Sequence, residues 1–308
     1  MRNLLTAVIC LTTVLVSLNT QASTYTKTKY PIVLVHGVTG FDTLGGLINY
    51  FHKIPYNLER SGAKVNTVSI SFVNSSEARG RQLANYISGL GVSKVNIMAH
   101  SQGAPTSRVA ASIIPNKIAS ITSINGVNYG SKVADVLAGV IRPGSWIAGG
   151  ADAIAIALGN VVNQLSSSNN PQDGLAALET LTTRGTINLN NALGWKGVNR
   201  TYCRGSSENV SINNNNIKMY SWTGKSPLSN VLDVTDAFLY ITSKAFKRGE
   251  DNDGLVAACA TKMGRVISTS YNLNHIDAVN HLFGIRSLWT NPISLYRSQA
   301  NRLKNAGL

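Results

Sequence analysis

The sequence has little outside its first residues that could cross a membrane, and it shows no internal repeat or linker. Its one long apolar run, at residues 4–18, follows Arg2 and precedes the small-residue segment Thr20–Ala22. A positive residue, an apolar run and a small-residue cleavage site are together typical of a secretory signal peptide. We therefore expect residues 1–22 to be removed and residues 23–308 to form one exported domain, with an N-terminal membrane anchor as the alternative.

Acidic residues are scarce as well, with 14 against 28 lysines and arginines, and the formal net charge is +14. Such an excess of positive charge favours contact with anionic surfaces, including cell surfaces and lipid interfaces that contain fatty acids. It does not indicate a nucleic-acid partner, because the cations are scattered and are not interleaved with aromatic residues. We expect no binding to nucleic acid.

Cysteine is rare, and only three are present. Cys10 lies inside the predicted signal peptide, so the exported chain would keep Cys203 and Cys259. Two cysteines in an oxidising compartment favour one disulfide, with two buried thiols as the alternative. Closing a loop of this length would stabilise the fold by about 4 kcal/mol in the chain-entropy model.

A serine follows a strand-like apolar run in the segment Asn96–Gly103, which reads NIMAHSQG. The small residues Ala99 and Gly103 flank Ser101 at two positions on either side, which permits a very sharp turn from a strand into a helix. The helix would open at Ala104-Pro105, where proline is tolerated in the first turn. This pattern predicts a nucleophile elbow at Ser101, although glycine is more usual in the place of Ala99.

Two neighbouring segments predict the frame around this turn. The continuous apolar run Tyr30–Val35 is typical of a strand that is buried on both faces of a mostly parallel sheet. His36–Asp42 follows at its carboxyl end, where two glycines let the backbone approach a ligand closely, with a plain strand-helix turn as the alternative. Strand and helix patterns then alternate through Ile118–Ile124, which predicts an α/β fold with helices on both faces of a mostly parallel central sheet.

Apolar residues spaced by three or four predict a further helix within residues 143–168. Gly149, Gly150 and Gly159 in this interval lower its intrinsic stability by up to about 1 kcal/mol each relative to alanine. The pattern is compatible with a mobile lid and with an ordinary packed helix, and the periodicity does not distinguish them.

The few histidines narrow the choice of a catalytic base. A serine hydroxyl becomes a good nucleophile when a histidine accepts its proton, and a carboxylate must orient that histidine. On this kind of elbow the acid and the histidine follow the serine in the chain. Three of the five histidines precede Ser101, which leaves His275 and His281. His275, in the polar loop Asn272–His275, is the better candidate, because His281 follows Asp277 by about one helical turn and is more typical of a structural residue.

The carboxylate must lie between the serine and the histidine. Asp253 is the best placed acid in that interval, since the pair Asp253-Gly254 predicts a tight turn beside the sheet-like run Leu255–Ala257. Asp233 and Asp251 remain alternatives, because spacing alone does not decide which carboxylate reaches the histidine.

Several segments together resemble the secreted bacterial triacylglycerol lipases of the Pseudomonas type, over about residues 30–308. They are YPIVLVHG at 30–37, the elbow at 96–103, SW at 221–222, PL at 227–228, LD at 232–233, NDGLV at 252–256 and NHID at 274–277. The resemblance implies an α/β-hydrolase fold with a helical lid at about 143–168. It also implies that Ser101, Asp253 and His275 form a catalytic triad.

The same resemblance implies one structural calcium ion near the histidine loop. Its carboxylate ligands would be Asp233 and Asp277, and its carbonyl ligands would be the backbone oxygens of His281 and Ile285. Hard oxygen donors of this kind suit Ca²⁺. His281 replaces the family's usual glutamine, and we expect little effect because only its backbone would bind.

The resemblance further implies an oxyanion hole made by the backbone N–H groups of Val38 and Gln102. Gln102 stands where histidine is more frequent, which should matter little because the backbone is the donor. The family's disulfide matches Cys203 and Cys259.

The expected function is hydrolysis of long-chain acylglycerols at lipid-water interfaces by an exported, monomeric serine hydrolase. The resemblance implies a membrane-anchored foldase as a partner during secretion. A carboxylesterase or polyester depolymerase with the same triad is the first alternative, and a catalytically silent surface-binding protein on the same fold is the second.

Overall fold

The computed structural model of the chain describes residues 24–38, 43–44, 48–139, 173–281 and 284–308. The predicted signal peptide at 1–22 and the predicted lid at 143–168 lie outside the described residues. The strands in these ranges are β1 (Ile32–Val35), β2 (Thr43–Leu44), β3 (Ile48–Asn49), β4 (Val65–Thr67), β5 (Val95–His100), β6 (Ile118–Ile124), β7 (Asn209–Ile212), β8 (Asn215–Gly224) and β9 (Arg265–Tyr271). The α-helices there are α1 (Ile54–Glu59), α2 (Ser76–Gly89), α3 (Gly103–Ile113), α4 (Lys132–Leu137), α5 (Gly174–Leu181), α6 (Thr183–Ala192), α7 (Val234–Thr242) and α8 (Pro292–Asn305).

Within the described ranges, 7 strands form one sheet in the order β4-β1-β5-β6-β8-β7, and β9 also pairs with β8. All pairs in this sheet are parallel except the hairpin of β7 and β8. The register places Val35 beside Ala99, and Ala99 beside Ser123. The carboxyl ends of β1, β5 and β6 therefore meet at one edge, which is where α/β folds bind their ligands.

Residues of the central strands alternate between two hydrophobic cores, one on each face of the sheet. Val33 and Val35 of β1 belong to the core that includes apolar side chains of α2 and α3. Ile32 and Leu34 belong to the core that includes apolar side chains of α1 and α8. The predicted α/β architecture, with a mostly parallel sheet and helices on both faces, is confirmed.

The two ends of the described chain meet beside β1. The Lys29 N–H donates a hydrogen bond to the Leu308 carbonyl at 2.6 Å. The Lys304 ammonium donates to the Thr24 carbonyl at 2.7 Å, so α8 holds the segment that leads into the sheet. Helix α8 also contributes Tyr296 to the core that contains Ile32 and Leu34 of β1.

A disulfide joins Cys203 to Cys259, as expected from the sequence, with their Cα atoms 4.3 Å apart. The two cysteines are 56 positions apart in the chain. The closed segment contains Asp233 and Asp253, so the bond restrains the region that carries two of the predicted site residues.

Across the part of the chain that the structure describes, we find no helix that combines the length and the apolar character needed to cross a membrane.

Candidate active site

Ser101 lies in the turn between β5 and α3 and adopts a left-handed backbone conformation, with φ of 56°. This conformation costs a residue other than glycine about 1 kcal/mol or more, so the surroundings must hold it. They do so through the Ser101 N–H, which donates to the Ile124 carbonyl at the end of β6 at 3.0 Å. A Cβ at Gly103 would lie 2.5 Å from the Val35 carbonyl oxygen, so only glycine fits there. Ala99 is fully buried in the sheet, and its methyl group packs in the core that contains Val35.

The segment after β1 touches Ser101. A Cβ at Gly37 would lie 2.5 Å from the Ser101 Cβ and 2.9 Å from its Oγ, so the backbone of Gly37 abuts the serine directly. Neither the Val38 N–H nor the Gln102 N–H donates a hydrogen bond to any residue in the described ranges. Two such N–H groups beside a nucleophile can stabilise an oxyanion.

Arg79 of α2 links the segment after β1 to the elbow through hydrogen bonds. Its guanidinium donates to the His36 carbonyl at 2.5 Å and to the Gln102 side-chain oxygen at 2.5 Å. The side chain is fully buried, and it forms no salt bridge with a described residue. Burial lowers the pKa of Arg79 to about 9, so it stays protonated at neutral pH. This role could not be predicted from the sequence, because one arginine among the polar positions of α2 is typical of a surface residue.

Asp253 and His275 form a buried pair, with Asp253 Oδ2 2.8 Å from His275 Nδ1. Asp253 Oδ2 also accepts a hydrogen bond from the Asn125 side-chain amide at 2.7 Å. Its Oδ1 accepts from the backbone N–H groups of Leu255 at 3.0 Å and Val256 at 2.7 Å. The His275 N–H donates to the Asp253 carbonyl at 2.8 Å. With both oxygens engaged as acceptors, the carboxylate is fixed in the orientation that an acidic partner of a catalytic histidine needs.

The two alternative acids lie elsewhere. Asp251 is 3.5 Å from Lys225, and both side chains are substantially exposed. Asp233 caps α7, where its side chain accepts a hydrogen bond from the Thr235 N–H at 2.8 Å. Of the acids weighed from the sequence, Asp253 is therefore the one that the structure pairs with His275.

Ser101, His275 and Val38 line one cavity of about 130 Å³. The rest of its wall is mostly apolar, and it includes Val73, Val127, Val133, Ala134, Leu137, Ala177, Leu178, Leu181, Leu255 and Val256. A concave, largely apolar wall with a few converging polar groups is typical of a site for a small apolar ligand or an acyl chain. We call this space the catalytic cavity.

A buried hydrogen-bond chain connects the histidine loop to the segment beside Ser101. The His275 carbonyl can only accept, so His100 Nε2, 3.0 Å away, must carry a proton. Burial, helped by the neighbouring His275, holds the pKa of His100 well below its ordinary value, so the ring is neutral and its Nδ1 is an acceptor. The Tyr50 hydroxyl then donates to His100 Nδ1 at 2.5 Å and accepts from the Gly37 N–H at 2.9 Å. Sequence reasoning missed Tyr50 and set His100 aside because it precedes the serine.

Comparison with known proteins decides the family. A model of the alpha/beta hydrolase fold matches residues 30–146. The chain is 45% identical over 290 residues to a triacylglycerol lipase of Vibrio cholerae serotype O1 (strain ATCC 39315 / El Tor Inaba N16961), covering 92% of this chain and 90% of that protein. It is 37% identical over 304 residues to a triacylglycerol lipase of Pseudomonas fragi, covering 92% and 98%. The chain belongs to the triacylglycerol lipase family.

Similarity to solved structures supports the fold of this lipase and nothing further. A metagenomic carboxyl esterase aligns with a TM-score of 0.60 at 17% identity, covering 90% of the lipase and 76% of that chain. The mature lipase of Bacillus licheniformis aligns with a TM-score of 0.54 at 15% identity, covering 84% and 90%. The predicted family, the α/β-hydrolase fold and the assignment as a serine ester hydrolase are thus confirmed.

The calcium ion that the resemblance implies can be tested against the buried oxygens of the lipase. Asp233 Oδ2 and Asp277 Oδ1 are buried and have no hydrogen-bond partner among the described residues. Burial raises the pKa of Asp277 to about 6, and the nearby charges of Asp233 and Asp236 add to the rise. Unpartnered buried carboxylate oxygens are costly, and a hard cation would satisfy them.

The donor set fits calcium only if backbone oxygens contribute. Among the described residues, no group of three or more His, Cys, Asp or Glu side chains could hold a metal ion. Asp233 and Asp277 would therefore need the predicted carbonyls of His281 and Ile285 to complete a site. The donors present are oxygen atoms of the type that binds Ca²⁺, and the calcium site stays a prediction.

Proposed function

We propose that the lipase hydrolyses long-chain acylglycerol esters at lipid-water interfaces, with Ser101, His275 and Asp253 as its catalytic residues. The observation that supports this most directly is the buried Asp253–His275 pair, whose histidine lines the same apolar cavity as Ser101. The family supplies the class of reaction, and the catalytic cavity supplies an apolar surface against which an acyl chain can pack.

Ser101 begins the reaction by attacking the ester carbonyl while His275 Nε2 accepts the proton of its hydroxyl. Asp253 accepts a hydrogen bond from His275 Nδ1–H, which fixes the tautomer with a free Nε2. The carboxylate then stabilises the imidazolium that forms. The carbonyl oxygen of the ester becomes an oxyanion, which accepts hydrogen bonds from the Val38 and Gln102 N–H groups.

The intermediate collapses when the carbon–oxygen bond to the alcohol breaks and His275 returns the proton to that oxygen. The diacylglycerol leaves, and the fatty acyl group remains on Ser101 as an ester. A water molecule attacks this ester while His275 accepts its proton. The bond between the acyl carbon and Ser101 Oγ then breaks, His275 returns the proton to Oγ, and the fatty acid is released. Arg79 positions the segment of Val38 and the elbow relative to each other, because it bonds to both sides.

Calcium, export and the foldase belong to the same proposal. Calcium, held by Asp233, Asp277 and the His281 and Ile285 carbonyls, would neutralise two buried carboxylates and so stabilise the loop that carries His275. Residues 1–22 would direct export, with a membrane-anchored foldase assisting folding and a monomer as the product. These proposals are supported by the resemblance and by the sequence of the N-terminal segment.

The test is the Ser101→Ala variant, with Ser112→Ala on the outer part of α3 as a matched control. We expect Ser101→Ala to melt like the wild type and to lose hydrolysis of emulsified long-chain triglyceride by about 10⁶-fold, as loss of a nucleophile does in other triads. Turnover near that of Ser112→Ala would refute the assignment.

Two further measurements separate the alternatives. A serine-directed alkyl phosphonate should label the wild type once and leave Ser101→Ala unlabelled, whereas a silent binding protein would not react. Long-chain triglyceride emulsion should be hydrolysed faster than a soluble short-chain ester. The opposite preference would favour a carboxylesterase or polyester depolymerase.

A further inference from the structure

A second cavity, of about 460 Å³, lies apart from Ser101 and His275. Three aromatic residues line it: Tyr129, Trp195 and Tyr202. The ring centroids of Tyr129 and Trp195 are 5.6 Å apart, and those of Tyr129 and Tyr202 are 5.4 Å apart in an edge-to-face arrangement. We call it the aromatic cavity. Its volume lies within the range of ordinary small-molecule sites.

The polar atoms of these rings are bonded to neighbouring groups of the protein. The Tyr129 hydroxyl donates to the Asn199 carbonyl, and the Trp195 N–H donates to the Asn191 side chain at 2.8 Å. The Tyr202 hydroxyl donates to Glu250 at 3.4 Å. What the rings offer to a ligand is therefore carbon surface, to which Ile187 and two alanines of the wall add.

Positive side chains line the same cavity. Lys132, Arg200 and Lys247 contribute to its wall, and none of the three forms a salt bridge with another described residue. Arg200 lies 5.6 Å from the centre of the Trp195 ring. Glu250 is the one acid among the described residues of the wall, and its carboxylate already accepts from the Tyr202 hydroxyl and from the Lys247 N–H. The cavity thus combines a carbon surface with an excess of positive charge.

The aromatic cavity and the catalytic cavity share walls. Tyr129, Gly130 and Lys132 line the aromatic cavity, whereas Val127, Ser131 and Val133 of the same segment line the catalytic one. The segment after Asp253 divides in the same way: its residues 255 and 256 face the catalytic cavity, and residues 257 and 260 face the aromatic one. A ligand in the aromatic cavity would therefore lie directly behind the catalytic wall.

We propose that the aromatic cavity binds an amphiphilic anion, namely a fatty-acid carboxylate, with its chain against the aromatic rings and its head among Lys132, Arg200 and Lys247. A neutral lipid would leave the three cations unused, and a small inorganic anion would leave the carbon surface uncovered. The reaction of the family releases fatty acids, and the cavity in which we propose that it takes place shares walls with this one. The inference rests on that reaction class and not on the roles of individual catalytic residues.

The test is binding of decanoate to the mature lipase by calorimetry, below the concentration at which decanoate forms micelles. The informative variant is Arg200→Ala with Lys247→Ala, since both side chains are exposed at the cavity. Its matched control is Arg184→Ala with Lys196→Ala, which removes the same charge from exposed positions outside the cavity. We expect one saturable site whose Kd rises at least tenfold in the first double variant and is unchanged in the second.

Comparison ligands test the two halves of the proposed ligand. Decanol keeps the chain without the charge, and acetate keeps the charge without the chain, so each should bind at least tenfold more weakly than decanoate. Equal affinity of the two double variants for decanoate, or no saturable binding, would overturn the proposal. Tight binding of glucuronate without binding of decanoate would overturn it too, in favour of an anionic sugar. None of these measurements involves turnover, so their failure is separate from a failure of Ser101→Ala.

Discussion

Ser101, the proposed nucleophile, and His275 of this lipase are held in different ways. Ser101 follows β5, every residue of which is buried, and its backbone bonds directly to the end of β6. His275 follows β9, whose residues are half-buried or exposed, and it lies in a loop. The backbone of the sheet therefore fixes the serine, whereas buried polar side chains fix the histidine.

Asn274 is central to the histidine loop. Its side-chain oxygen accepts from the backbone N–H groups of Ile276 at 2.8 Å and Asp277 at 2.7 Å. Its amide donates to Asp236 at 2.7 Å, and Asp236 in turn accepts from the Ser229 N–H at 2.5 Å. A network of this kind fails when one member is lost, because each remaining buried group is left without its partner.

The largest expected effect comes from Asp253→Asn, which changes one of the buried polar side chains that fix the histidine. The amide would donate where the carboxylate accepts and would favour the wrong tautomer of His275, so we expect kcat to fall by about 10⁴-fold. The matched control is Asp251→Asn, which changes an exposed acid two positions away and should alter kcat less than twofold. Steady-state hydrolysis of a soluble ester measures both, and equal rates in the two variants would contradict the pairing of Asp253 with His275.

A smaller effect is expected from Gly37→Ala, which changes the backbone segment that lies against Ser101. The added methyl group would lie 2.5 Å from the Ser101 Cβ, so the segment that carries Val38 must move away. Displacing one oxyanion donor costs about 10²-fold to 10³-fold in kcat. In Gly89→Ala the new Cβ would meet nothing within 4 Å, and this control should behave like the wild type. A Gly37→Ala enzyme with unchanged kcat would show that Val38 is not a donor.

The smallest expected effect on activity is that of chelation, which should act on the histidine loop and spare the elbow. We expect EDTA to lower the melting temperature and to reduce activity several-fold, with recovery on adding Ca²⁺. Asp277→Asn should show the same loss and no further response to EDTA. Asp173→Asn, at an exposed cap of α5, should respond as the wild type does. Unchanged melting and activity after chelation would argue against calcium.

The same contrast explains what the sequence could predict. The elbow is encoded in eight consecutive residues, and the strands beside it in the sheet are encoded in short apolar runs. Ser101 and these strands could therefore be inferred from small-residue and apolar patterns alone. Asp253 could only be ranked first among several acids, because its contact with His275 and Asn125 joins distant parts of the chain. The local pattern ranked it first, and the family resemblance then singled it out.

Arg79 and Tyr50 escaped prediction for a related reason. A buried arginine that bonds to a carbonyl and an amide looks like any polar residue of a helix, since nothing in its neighbours marks its burial. Tyr50 acts through the His100 ring and the Gly37 backbone, and neither contact leaves a local pattern. The disulfide was easier to predict, because only Cys203 and Cys259 remained to pair.

The hydrogen bond between Lys29 and Leu308 also has a consequence for the order of folding events. It joins residues near the two ends of the described chain, and contacts of such large sequence separation form late and slowly. Helix α8 covers the face of β1 that carries Ile32 and Leu34, and β1 leads into the segment of Val38. We therefore expect a refolding chain to bury its elbow early and to become able to hydrolyse esters only when its last helix docks.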